Sequence, residues 1–175
     1  PIPEVNSVIK FRGTLQQYNG NDQLIVQKMR PAVDSDNIDM NDFVKSADID
    51  GIDMYRAIVN MVSSFSDSEL KSVVLGMLSD NRGNMISFPA AEKLHHAMRG
   101  GLLYHTLSIV RLAESVCNIY PFVDRELLLS GAILHDIAKI REYSLSPSGV
   151  VDGHTLEGML LGHLVMGAED AGRKC

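Results

Sequence analysis

The sequence has no apolar run approaching the roughly 18 uninterrupted residues of a membrane span. Its N-terminus also lacks the basic, apolar and small-residue pattern of a secretory signal. These two absences predict a cytoplasmic protein with no membrane contact. Cysteine is scarce: Cys117 lies in an apolar stretch and Cys175 is the last residue. So widely separated a pair excludes a disulfide framework and offers no metal-binding Cys pair, and both are read as thiols. Internal repeats and low-complexity segments are absent as well. What is present is an ordinary globular composition, 45% hydrophobic and 22% charged in 175 residues, enough for one core plus a smaller unit.

Positive charge is in deficit. The net charge of -6 taken alone argues against a nucleic-acid partner, but the charge is unevenly spread. Residues 1–30 carry Lys10, Arg12, Lys28 and Arg30 against Glu4 and Asp22. Residues 31–53 carry seven aspartates against Lys45, so the acidity is concentrated in what reads as a connector.

Two parts follow from the residue pattern. "VIKFRGTLQQYNGNDQLIVQKMRPA" (8–32) alternates apolar and polar positions around Asn19-Gly20, the signal of a β-hairpin. A lone hairpin is marginally stable in water, so these strands are expected to belong to a larger sheet that begins before Pro1. From Ile52 the period becomes helical. "IDMYRAIVNMVSSF" places Ile52, Tyr55, Ile58, Val59 and Val62 on one face. Ser66 with Glu69 reads as a capping box opening a helix through "ELKSVVLGML". Further helices are predicted over "AAEKLHHAM", over "LLYHTLSIVRLAESVCNIY" up to Pro121, from Asp124 into His135-Asp136, and over "TLEGMLLGHLVMGAED" capped by Thr155. "SLSPSGVVDG" reads as a loop or small turn. The fold class is mainly α.

The chemistry-bearing side chains sit on these helices. His105, His135-Asp136 and His163 are separated by 30 and 28 residues, each about one helix plus a connection, so adjacent antiparallel helices can bring them to one point. Imidazole with carboxylate suits a divalent ion such as Mn, Fe, Co or Zn. Neighbouring side chains diverge by about 100° on a regular helix, so His135 and Asp136 can share an ion only where the turn loosens. Lys139 falls one turn after His135, where a fixed cation suits an anionic substrate.

In this order "GGLLYHT", "GAILHDIAK" and "EGMLLGH" resemble the HD superfamily of metal-dependent phosphohydrolases, which are all-helical. More closely, "HHAMRGGLLYHTLSIVRLA", "LLLSGAILHDIAKIREYS" and "VIKFRGTLQQYNG" are similar to the YhaM-type 3′-5′ exoribonucleases, or CMP-binding factor, which join an OB-fold to an HD domain. The resemblance implies OB-fold strands over 1–32, an acidic linker over 33–50 and an HD domain over 51–175. It implies that His105, His135 and Asp136 ligate a metal, with His163 serving a second metal or the substrate phosphate. Asp136 and Lys139 would be catalytic, Lys139 binding phosphate. His96 and Arg99 become substrate candidates, and Lys10, Phe11, Arg12 and Tyr18 nucleic-acid candidates.

The expected reaction is phosphodiester hydrolysis by metal-activated water, releasing nucleoside monophosphates from a 3′ end. The expected cofactor is Mn, Co or Fe, with Zn or Mg as alternatives. The expected partner is single-stranded RNA or DNA, with assembly into a homo-oligomer also open. A small-nucleotide phosphohydrolase and a non-catalytic binding module are the rival readings. Two departures stand out: Ala138 replaces the family's usual glycine, and the superfamily's further aspartate would fall beyond Cys175.

Overall fold

In the hairpin turn Asn19 and Gly20 both take positive φ, 50° and 77°, the conformation that matches the right-handed twist of paired strands. β1 (Ile9–Tyr18) and β2 (Asn21–Pro31) pair antiparallel around it, as the alternation predicts, with a bulge between Arg12 and Gly13. This computed structural model describes residues 3–4, 6–39, 42–92 and 97–175. The hairpin is exposed along nearly its whole length, including Phe11, Leu15, Leu24, Val26 and Met29.

The helical part begins with α1 (Gly51–Ser63), capped by Asp50, whose side chain accepts from the Ile52 N–H. Its buried stripe is Met54, Ile58 and Val62, spaced four apart. The predicted face was rotated, because Ile52 is 39% exposed while Met54 is buried. α2 (Ser68–Met85) is capped by Asp67, which accepts from the N–H groups of Glu69 and Leu70. The expected Ser66–Glu69 capping box does not form. Ser66 instead donates through its N–H and hydroxyl to Glu126, which also accepts from the Asp67 N–H. A carboxylate two helices further along the chain takes the place of the local one.

The predicted helix over 90–98 falls partly on residues 93–96, outside the described residues, and residues 90–92 and 97–98 are not helical. α3 (Gly101–Ile119) starts after Gly100 at φ 73° and ends one residue before Tyr120, as the Gly-Gly and Pro signals require. α4 (Arg125–Leu134) is capped by Asp124 accepting from the Leu127 N–H. After a turn at 135–138 comes the short α5 (Lys139–Glu142).

The segment read as a loop contains a second hairpin, β3 (Tyr143–Leu145) with β4 (Val151–His154). It reverses the chain so that α6 (Leu156–Gly172), capped by Thr155, runs back over α5. One core joins α1 to α4: Met54, Ile58, Val62, Phe65, Met77 and Leu78 pack with Leu102, Leu103, Val110, Leu129 and Ile133. Each such side chain contributes on the order of 1.5–3 kcal/mol by leaving water. No helix among the described residues is long and apolar enough to cross a membrane.

Candidate metal centre

α4 stops at Leu134 because the hydrogen-bond pattern tightens there. The Ile137 N–H donates to the Leu134 carbonyl and the Lys139 N–H to the Asp136 carbonyl, both i to i-3 bonds. This departure from α geometry lets two consecutive side chains, His135 and Asp136, turn toward one point. α3 packs against α4 and brings His105 to the same place. His105 Nε2 lies 3.3 Å from His135 Nε2, and each lies 3.4 Å from Asp136 Oδ2. The three donor atoms lie within 4.8 Å of one another.

The remaining two candidates also reach Asp136, from different sides. Lys139 Nζ donates to Oδ2 at 2.8 Å. His163 Nε2 lies 3.3 Å from the other oxygen, Oδ1. Asp136, 4% exposed, is thus the buried hub of a half-buried cluster. Burial alone would raise its carboxyl, but hydrogen bonds from His135 and Lys139 outweigh that, and it is held well below the usual carboxylate range. The His135 imidazole is raised, first by its bond to Asp136, against the opposing effect of burial.

The donor set fits a divalent ion. His135 Nδ1 donates to the Ala132 carbonyl at 2.9 Å, so in the neutral ring it is Nε2 that presents its lone pair to the cluster. Two imidazole nitrogens and a carboxylate oxygen then face one another, an arrangement that a shared cation satisfies and that neutral groups do not.

Other predicted residues lie elsewhere. Arg99 pairs through its backbone, its N–H donating to the Lys45 carbonyl and its carbonyl accepting from Ala47. It lines a cavity of about 370 Å³ with Ser46, Asp50 and Ile86. His95 and His96 lie outside the described residues.

On the hairpin, Lys10 opposes Arg30 and Arg12 opposes Lys28, so strand alternation puts these four cations on one face and Phe11 on the other. Tyr18 shares the basic face and is 65% exposed. Lys10 and Arg30 are already engaged, both bonding Asp36 at 2.7 Å. The Arg30 and Lys10 bonds, with the Val33 N–H, hold the Asp36 carboxyl far below its usual range.

The sequence reading missed Glu142, which is 7% exposed and bonds His163. No local pattern signals it. The turn at 135–138 breaks the helical period between His135 and Glu142, so only the tertiary fold brings the glutamate to His163.

The HD domain family matches residues 102–175, and a second family, described as "Putative helicase", matches residues 51–127. With its His105, His135-Asp136 and Lys139 constellation in residues 102–175, the chain carries an HD domain. It is YhaM-like: it is 34% identical over 158 residues to the 3′-5′ exoribonuclease YhaM of Bacillus licheniformis, and 32% to that of Bacillus subtilis. These alignments cover 90% of this chain and 49% of each relative, so the chain spans about half their length. No solved structure matches it significantly.

Proposed function

We propose that the chain carries the metal-dependent phosphohydrolase part of a 3′-5′ exoribonuclease that releases nucleoside monophosphates from single-stranded RNA. The observation that supports it most is the convergence of His105, His135 and Asp136 within 4.8 Å on separate elements of an HD domain. In this reading these three side chains hold a divalent ion, Mn, Co or Fe before Zn or Mg, and His163 serves from the Oδ1 side of Asp136. The ion, when bound, supplies Lewis-acid polarisation of a phosphoryl oxygen and acidifies water.

The protein's own groups do the rest. Asp136 gathers the cationic and imidazole groups around one carboxylate. An ammonium has three donors; Lys139 uses one on Asp136 and offers others to a phosphoryl oxygen as negative charge develops there. The hairpin belongs to an OB sheet over 1–32, joined by the acidic linker 33–50. Its basic face, Lys10, Arg12, Lys28 and Arg30 with Tyr18, tracks the RNA backbone. The similarity of both parts to YhaM exoribonucleases favours RNA over a small nucleotide.

The test is digestion of a 5′-labelled single-stranded RNA in the presence of Mn²⁺. Stepwise shortening from the 3′ end with release of nucleoside monophosphates supports the proposal. Internal cleavage, or hydrolysis restricted to mononucleotide substrates, would overturn it.

A further inference from the structure

α6 is broken where it meets the metal centre. Gly162 adopts φ 71° and ψ 159°, outside helical geometry, and the chain resumes its helix at His163. The group that receives this break is the buried carboxylate of Glu142. Its Oε1 accepts from the His163 backbone N–H at 3.3 Å and its Oε2 from His163 Nδ1 at 2.7 Å. Among the described residues both donors to this carboxylate belong to His163, although burying a carboxylate without a full cationic partner is costly.

The rest of the fold brings the two together. The Thr155 N–H donates to the Glu142 carbonyl at 2.9 Å, and Thr155 Oγ1 donates to the Arg141 carbonyl at 2.7 Å. Gly158 makes room for the approach, since a Cβ there would lie 2.3 Å from the Glu142 carbonyl oxygen. Arg141 clamps the same helix at both ends through Glu157 and Asp170.

We infer that Glu142 is a positioning residue for His163, fixing the imidazole so that Nδ1 carries the proton toward Glu142 while Nε2 presents its lone pair beside Asp136. The two distances decide the orientation: 2.7 Å from Nδ1 to Glu142 against 3.3 Å from Nε2 to Asp136. A carboxylate donor-acceptor pair of this kind sets which ring nitrogen is available to a ligand and raises its basicity. The anchoring is two-point, on backbone and ring, so the ring cannot rotate without giving up one bond. The consequence for metal binding rests on the proposed function; the orientation of the ring does not.

The test therefore has a metal-free arm and a metal arm. Long-range ¹⁵N–¹H NMR of histidine-labelled, metal-free protein at pH about 8.5, where an ordinary imidazole is neutral, should show His163 as the Nδ1–H tautomer. Glu142→Gln, which has one acceptor oxygen where two are needed, should lose that fixed tautomer. Glu142→Asp, charged but one methylene short, should lose it too. A proton on Nε2 in the wild-type protein, or an unchanged tautomer in both variants, would overturn the inference.

In the metal arm, Glu142→Gln should weaken Mn²⁺ binding by about 10- to 100-fold. In a His163→Ala background the same change should cost no more than about twofold, because Glu142 acts through His163. Equal losses in both backgrounds would assign Glu142 a merely structural part and overturn the positioning role. Absence of Mn²⁺ binding by the wild-type protein would sink the metal reading alone, with the tautomer still deciding the Glu142–His163 relation.

Discussion

Lys139 donates to the same Asp136 oxygen that faces His105 and His135, at 2.8 Å. The lysine proposed to bind phosphate therefore also holds the carboxylate in place. Lys139→Ala is expected to lower phosphodiester cleavage by on the order of 10² while Mn²⁺ is still bound. Steady-state rates beside a Mn²⁺ titration check this. A variant with unaltered turnover would remove Lys139 from the reaction.

The pH dependence of the metal-free protein follows from His135 and Asp136. The folded His135 value is raised, chiefly by Asp136. Its stabilisation is thus complete below the unfolded value of about 6.5 and is lost as pH rises through the higher folded value. Asp136 has the opposite sign. Its value is lowered, so its contribution is present above about 3.9 and is lost only as pH falls into strong acid. Urea midpoints of the metal-free protein are expected to decline above pH about 6.5, and His135→Gln should flatten that decline. An unchanged slope in the variant would contradict the His135–Asp136 interaction.

Asp36 sets the strength of the hairpin's basic face, because it engages both Lys10 and Arg30. In the proposed function, RNA phosphates would have to displace it. Asp36→Asn is expected to tighten single-stranded RNA binding at low salt and to steepen its salt dependence by up to about two phosphate equivalents. Filter binding across a salt series measures both. Loss of affinity in this variant would place the RNA elsewhere.

Gly158 is the close-approach point between α6 and Glu142. Gly158→Ala puts a methyl group 2.3 Å from a backbone oxygen, which only movement of the helix can relieve. Destabilisation of about 1–3 kcal/mol is expected by urea unfolding, with weaker Mn²⁺ binding because His163 moves with α6. Gly83→Ala, where a Cβ meets nothing within 4 Å, is the control and should not destabilise.

The elements that position His135 and His163 were legible because their signals are local. Asp124 and Thr155 cap α4 and α6 through bonds three residues away, and Asn19-Gly20 dictates its own turn. What was not legible depends on partners distant in sequence. Ser66 is held by Glu126, sixty residues on. The rotation of the α1 face reflects what α2 and α3 present to it, which the helix period cannot encode. Glu142 and the break at Gly162 make sense only together, once β3 and β4 have folded α6 back. His105, His135, Asp136, Lys139 and His163 could be selected from spacing, but the division of Asp136 into an Oδ2 side and an Oδ1 side is tertiary.

His105, His135 and Asp136 are expected to act as one divalent-metal site. Isothermal titration of Mn²⁺ into the metal-free wild-type protein and its His105→Ala, His135→Ala and Asp136→Ala variants tests it most directly. The expected result is saturable binding by the wild-type protein and loss of that binding in each variant, with helical content unchanged by circular dichroism. Wild-type Mn²⁺ affinity in a folded Asp136→Ala protein would contradict the account.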